Sequence, residues 1–249
     1  MKIQMLSIVK QLIKNIFNLV GLEVQRHQPL SDAGTQIYQA IKKVRTDIIL
    51  DVGANTGQFS LEMRKKGYNG KIVSFEPLIS ARKKLIEHAS KDANWSVHEQ
   101  AALGGHNGFV DINISKNSVS SSILPMLSSH FDAEGNSFYV DSQRTSIITL
   151  DSVANDYLNK SSNCFIKIDT QGYEWQVLDG AANTLKKSKG VICELSLIPL
   201  YEGQHLWKKM IERLEKDGFI LWSFQKAFTD KRDGRTLQID AVFLRDNVV

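Results

Sequence analysis

Apolar residues recur in two rhythms along the chain. Short apolar runs bounded by polar turns predict strands at 47–51, 71–75, 95–100, 164–168, 190–195, 218–224 and 239–244. Helical spacing between them predicts helices at 35–44, 58–66, 78–90, 149–158, 173–185 and 205–216. Alternation of this kind implies an α/β fold, a doubly wound, Rossmann-like, mostly parallel sheet of seven strands. The final two strands are joined only by a polar loop, Lys226 to Leu237. It is too short for a helical crossover, so the last strand is expected to run antiparallel.

Residues 104–148 break the rhythm. They carry Gly104-Gly105, serines at 118 and 120–122, and a polar stretch from His130 to Gln143. A long insertion in such a fold usually covers the ligand site or meets a partner. No repeat is visible and none of the four prolines marks a linker. Residues 35–249 therefore read as one domain, preceded by an N-terminal amphipathic helix and lead-in at 1–34.

That first segment is apolar at 5, 8, 9, 12, 13, 16, 19 and 20, and its charges are Lys2, Lys10 and Lys14. The lysines interrupt any span long enough to cross a bilayer, and no small-residue cleavage site follows a clean apolar core. The helix is expected to pack on the domain or a second copy, which leaves oligomerisation open. Alternatively, residues 1–20 make a peripheral contact with an anionic membrane surface. The expected location is cytoplasmic, with that contact at the membrane as the variant.

Composition narrows the partners. A net charge of +4 is mild and diffuse, and Phe75, Phe109 and Phe165 lie outside basic clusters, so no nucleic-acid partner is expected. Cys164 and Cys193 fall at opposite ends of neighbouring strands, on the order of 13 Å apart at ~3.3 Å per residue, too far for a disulfide.

The chemistry gathers at strand ends, where open α/β sheets bind ligands. Leu50-Asp-Val-Gly-Ala-Asn-Thr-Gly-Gln58 makes a strand, a glycine turn and a helix start. Gly53 and Gly57 would let the turn approach a ligand. The next strand ends in Glu76, the third near Gln100-Ala101, the fourth in Asp169 and the fifth in Glu194. An acid after the second strand can accept both ribose hydroxyl protons. The turn lacks the paired glycines that sit over a pyrophosphate. An acid-rich edge suits a nucleoside carrying a sulfonium and an amine, which is S-adenosylmethionine. Asp169 and Glu194 could also hold a divalent cation. No spacing supports zinc.

Four segments resemble the FkbM-type methyltransferases. They are Leu50 to Gln58, Phe165-Ile-Lys-Ile-Asp-Thr-Gln-Gly-Tyr-Glu174 with Val177 to Ala181, Ser120 to Ile123, and Leu200-Tyr-Glu-Gly203. The resemblance covers about residues 35–245 and implies the class I methyltransferase fold with S-adenosylmethionine-dependent O-methylation. The acceptor it implies is a hydroxyl of a sugar, glycan or other secondary metabolite. In that reading Asp51 and Gly53 hold the methionine end, with Asn55 and Gly57 in the same turn. Glu76 meets the ribose, Pro77 next to it is counted with the cofactor-binding residues, and Gln100 and Ala101 border the adenine. Asp169 stands by the methyl. Asp169, Glu174 and Glu194 are the candidate bases, joined by His130 or His205 should the insertion fold over the site. The family usually has an acid where this chain has Gln171. Two other readings compete: a nicotinamide-dependent oxidoreductase, for which no Y-x-x-x-K is convincing, and a scaffold that binds the cofactor without turnover.

Overall fold

The computed structural model describes residues 2–22, 24, 30 and 32–246, with side chains undescribed at 2–4, 6 and 7. Met1 and most of the lead-in at 23–31 lie outside the described residues. The chain divides into two compact units, Met1–Asp32 and Ala33–Val249. The first holds helix α1 (Lys2–Leu19). Its described apolar side chains, among them Ile8, Leu12, Ile16 and Phe17, are exposed. No helix of the described residues is long and apolar enough to cross a membrane.

The second unit is built on β1 (Ile48–Val52), β2 (Lys71–Phe75) and β3 (Trp95–Val97), with helices α2 (Ala33–Lys43), α3 (Gln58–Lys66) and α4 (Ile79–Ala89). Next come β4 (Ala102–Leu103), β5 (Gly108–Ser115), α5 (Ser128–Ala133) and β6 (Tyr139–Ile148). Then follow α6 (Leu150–Val153), β7 (Cys164–Ile168), α7 (Glu174–Asp179), α8 (Ala182–Lys187) and β8 (Ser188–Ser196). The chain closes with α9 (Trp207–Lys216), β9 (Phe219–Thr229) and β10 (Thr236–Arg245). Seven strands form one sheet in the order β3-β2-β1-β7-β8-β10-β9. Its first five strands are parallel, and β10 runs antiparallel to both β8 and β9.

Both faces of this sheet are covered, which is why its central strands read as unbroken apolar runs. Along β1, Ile48, Leu50 and Val52 join the cluster that contains Leu178, Leu185 and Leu214 of α7, α8 and α9. Ile49 points to the other face, with Ile41, Met63 and Leu85 of α2, α3 and α4. Asp51 shares that second face, where its charge has to be answered. Cys164 and Cys193 are buried free thiols, Cys193 pairing with Ile168 at the far end of β7 from Cys164.

Three expectations need revision. The third strand ends at Val97, and Ala102–Leu103 joins a separate three-stranded sheet, β4-β6-β5. The insertion is thus largely a β-hairpin with long arms, masked in sequence by its polar exposed face. The helix expected at 173–185 is two helices, split at Gly180. A Cβ on Gly180 would lie 1.9 Å from the Gly104 carbonyl oxygen, so the helix breaks where the insertion's first loop crosses it. The expected helix 149–158 shrinks to one short turn followed by a 3-10 turn at Ala154–Asp156.

Candidate active site

The β1 turn is shaped by protein contacts on both sides. Gly53 has φ 72° and Gly57 has φ 91°, both in the left-handed region. A Cβ on Gly53 would lie 1.8 Å from the Asp169 carbonyl oxygen, and one on Gly57 would lie 2.8 Å from the Trp95 ring. The space these glycines leave is therefore filled chiefly by neighbouring protein. Gly53 also lines a cavity; Gly57 does not.

That cavity, about 410 Å³, lies within the range of small-ligand sites. Following the strand order, its wall runs from the end of β2 across β1 and β7 to β8 and β10. At the β2 end stand Phe75, Glu76, Pro77, Ala101 and Leu103. At the other end stand Ile37 of α2, Phe59 and Glu62 of α3, Ile192 and Asp240. Asp169 and Lys167 lie between, and Ser118 to Ile123 of the insertion contribute Val119, Ser121 and Ser122.

Glu76 is anchored by backbone. Its Oε2 accepts from the Asn55 amide at 2.7 Å and its Oε1 from the Leu78 amide at 2.9 Å. Burial pushes its carboxyl up to about 7 despite those two amides. A carboxylate has about four acceptor sites, so two amides leave capacity for two ribose hydroxyls. Asn55, at φ 47°, uses its Oδ1 to accept from the Thr56 amide at 2.8 Å. Pro77 offers its carbonyl to the Gln100 and Gln143 side-chain amides at 2.9 and 2.8 Å. Gln100 therefore braces the wall from behind, while Ala101 is on it.

The centre holds one cation among acids. Lys167 Nζ donates to the Gly53 carbonyl at 3.0 Å and pairs with Asp169 Oδ2 at 3.3 Å and Asp51 Oδ1 at 3.5 Å. Burial opposes its charge, yet Asp169, Asp51 and Asp240 together hold it above the ordinary lysine range. Asp51 is fully buried, and its Oδ2 accepts from Ser60 and Ser74 at 2.8 and 3.3 Å. Its carboxylate lies behind the cavity wall and acts on the cavity through Lys167 and the Gly53 turn.

Gln171, at φ 55°, is the hub of the β7 and β8 ends. Its Nε2 donates to Asp169 Oδ1 at 3.0 Å and to Glu194 Oε2 at 2.8 Å, while its Oε1 accepts from the Tyr201 hydroxyl at 2.8 Å. An acid here would face two carboxylates, which gives the glutamine an electrostatic reason. Glu194 also accepts from Gln238 Nε2 at 2.7 Å, and burial, then Asp169, raises its carboxyl well above the ordinary value. The Gln171 amide nitrogen stands between Asp169 and Glu194 where a shared divalent cation would sit, so that reading is withdrawn. Among the described residues no group of three or more His, Cys, Asp and Glu could hold a metal.

The other candidates are brought near but not onto the wall. Glu174 Oε1 accepts from the Thr170 and Gly172 amides at 2.8 and 3.1 Å, clamping the turn that carries Gln171. Burial raises its carboxyl to about 7. Ser122 Oγ donates to the Gln171 carbonyl at 2.6 Å, tying the insertion to the same turn. Tyr201 is buried beneath it, against His130. His130 is buried and held below the ordinary histidine value by burial; His205 stacks on Trp175 at 4.0 Å. Neither histidine lines the cavity.

Asp240 was missed in the sequence. It lines the cavity, and burial, then Asp169, raises its carboxyl to about 6. The available signal was a pair of polar residues, Gln238 and Asp240, in the otherwise apolar run from Leu237 to Leu244.

The residues fit S-adenosylmethionine. Glu76 retains acceptor capacity for the ribose, and Phe75, Pro77, Ala101 and Leu103 offer an apolar flank for the base. The acids of the wall outnumber its lysine, which is already paired, and that favours the sulfonium. Bound there, the cofactor would supply an electrophilic methyl carbon on a sulfonium.

Comparison with known proteins agrees. The model of the FkbM methyltransferase domain matches residues 51–221. No curated protein matches the chain. Among solved structures, it resembles the FkbM methyltransferase of Methylobacillus flagellatus KT at 14% identity and TM-score 0.45, over 79% of this chain and 43% of that one. The chain thus spans less than half the length of that relative. It also resembles the magnesium protoporphyrin IX methyltransferase of Synechocystis PCC 6803 with bound S-adenosylmethionine. That likeness is 11% identity and TM-score 0.45, over 95% of this chain and 96% of that one. A third is the precorrin-6y C5,15-methyltransferase of Geobacter metallireducens GS-15, at 14% identity and TM-score 0.43, over 89% and 92%. The family assignment rests on the domain match, which spans more than half of the chain and takes in the β1 turn, Glu76 and the Lys167-to-Glu174 segment: the chain belongs to the FkbM methyltransferase family, whose reaction is S-adenosylmethionine-dependent methyl transfer.

Proposed function

We propose that the chain is an O-methyltransferase acting on a hydroxyl of an uncharged, hydroxylated acceptor such as a sugar, glycan or other secondary metabolite. The observation that carries this reading is the charge of the cavity wall. Among its described residues the one cation, Lys167, is engaged by Gly53, Asp51 and Asp169, while Glu62, Glu76, Asp169 and Asp240 line the same space. A phosphate or carboxylate acceptor would find no cation free to receive it among the described wall residues. A polyol finds acceptors for its hydroxyl protons. Glu76 would accept the ribose hydroxyls, and the central acids would orient the acceptor hydroxyl in line with the methyl. The nicotinamide reading is dropped with the family assignment. The scaffold reading differs in one outcome, cofactor binding without turnover.

The test is incubation of the full chain with methyl-labelled S-adenosylmethionine and two sets of probes, neutral glycosides and their phosphorylated or uronic-acid counterparts. Label is expected in the neutral set alone. Transfer only to the anionic set would overturn the reading.

We also infer that α1 makes the peripheral membrane contact. Its exposed Ile8, Leu12, Ile16 and Phe17, with Lys10 and Lys14 and no acid through residue 22, suit an anionic lipid surface. Deleting residues 1–20 is expected to abolish sedimentation with phosphatidylglycerol-containing vesicles; unchanged sedimentation would remove the inference.

A further inference from the structure

We propose that Asp240 is the catalytic base, the group that receives the proton of the acceptor hydroxyl. This rests on the methyl-transfer reading above and adds a residue that lies beyond the matched family domain at 51–221. A base must touch the cavity and must not already be spent on protein donors.

Each of the other acids except Glu62 fails one of those conditions. Glu174 is off the wall, with its Oε1 holding two backbone amides. Glu194 is off the wall too, and its Oε2 accepts from Gln171 and Gln238. Asp169 is on the wall, but one oxygen accepts from Gln171 and the other lies 3.3 Å from the Lys167 ammonium. A carboxylate so held is a poor proton acceptor. Glu76 is tied to two amides at the β2 end, away from β8 and β10. Glu62 also lines the cavity, but it is exposed, so water solvating its carboxylate competes for the acceptor proton. The carboxylate of Asp240 lines the cavity and makes no hydrogen bond to a described residue. Its strand partner is Glu194, whose charge is covered by Gln238 two residues away on the same face. Burial, then Asp169, lifts the Asp240 carboxyl to about 6 against the opposing charge of Lys167, which makes no ion pair with it; that is closer to the range in which a general base works at neutral pH.

The step balances simply. As the acceptor oxygen forms its bond to the methyl carbon, Asp240 takes the hydroxyl proton and becomes the neutral acid. The carbon–sulfur bond breaks with both electrons remaining on sulfur, which turns the sulfonium into a neutral thioether. The proton then passes to solvent through the open cavity.

An acceptor-free measurement tests this. Sinefungin is a cofactor analogue that carries an ammonium where the reactive methyl stands; S-adenosylhomocysteine has a neutral sulfur and no methyl there. A base serving an oxygen in line with the methyl lies near enough to attract that ammonium. Calorimetry on the full chain is expected to show sinefungin bound about tenfold tighter than S-adenosylhomocysteine. In Asp240→Asn that preference should fall to about twofold or less, with S-adenosylhomocysteine affinity kept. Asp240→Ser gives the same reading should the asparagine variant not fold. Retention of the preference in these variants, with its loss in Asp169→Asn, would overturn the proposal. Equal loss of both ligands in a variant that unfolds at the native temperature would also overturn it, because Asp240 would then hold the cofactor. Failure of the native chain to bind either ligand would overturn the methyl-transfer reading and this inference together.

Discussion

The two ends of the cavity are built on opposite principles. At the β2 end, Glu76 is fixed by the amides of Asn55 and Leu78, and the wall around it is apolar and braced by Gln100 and Gln143. At the β10 end, Asp240 makes no hydrogen bond to a described residue and lines the cavity together with Ile37, Phe59 and Ile192. Preorganised backbone suits a ligand that never changes, the nucleoside. An unpaired carboxylate suits a partner whose proton it must take and release. Lys167 stands between the two ends, paired with Asp51 and Asp169 and acting on Asp240 only through space.

The largest effect is expected where the two ends meet. Lys167→Met leaves Asp51 buried without its cation and should cost on the order of 3–5 kcal/mol. Chemical denaturation would measure it, and a loss below about 1 kcal/mol would mean that Lys167 serves the ligand rather than the fold. Next, Glu76→Ala should weaken cofactor binding about 100-fold, by removing a charged acceptor of two hydroxyl protons. Asp240→Asn should leave S-adenosylhomocysteine affinity within about threefold of native; similar losses in both variants would erase the distinction between the ends.

Gln171→Glu should be milder. It replaces a donor to Asp169 and Glu194 with a third acid, and a loss of about 1–3 kcal/mol is expected at pH 8. Protonation relieves the repulsion, so the deficit relative to native should shrink towards pH 5. A deficit that stays constant with pH would point to lost packing instead.

The smallest effect is the pH response of Glu76. Its carboxyl is raised from 4.5 to about 7 in the folded chain. The stability it contributes is therefore complete below the unfolded value of 4.5 and is lost as pH rises to about 7. Ribose hydroxyls bind the ionised form, so cofactor affinity should move the other way. It should rise between pH 6 and 8, by at most about tenfold per unit below pH 7. Glu76→Gln should flatten that slope.

The same contrast explains what was legible in the sequence. The β2 end depends on local features: the Asp51-to-Gly57 turn, Glu76 next to its strand, and apolar runs that mark each buried strand. Spacing along the chain reports all of these. The β10 end is assembled from α2, α3 and β10, separated by nearly 200 residues, and no local pattern links Ile37, Phe59 and Asp240. Asp51 and Glu174 were visible as acids at strand and helix ends, but their burial behind the wall depends on Lys167 and on the turn at Thr170 and Gly172. The hairpin β5–β6 was hidden for another reason: one side of it faces solvent, so its apolar signal is halved.

The central claim is that Glu76 reads the ribose of S-adenosylmethionine at the end of β2. Calorimetry of S-adenosylmethionine with the native chain and with Glu76→Ala, at pH 8, tests it most directly. The account predicts one site in the native chain and about a 100-fold loss in a variant that stays folded. Equal affinity in the two proteins would contradict it.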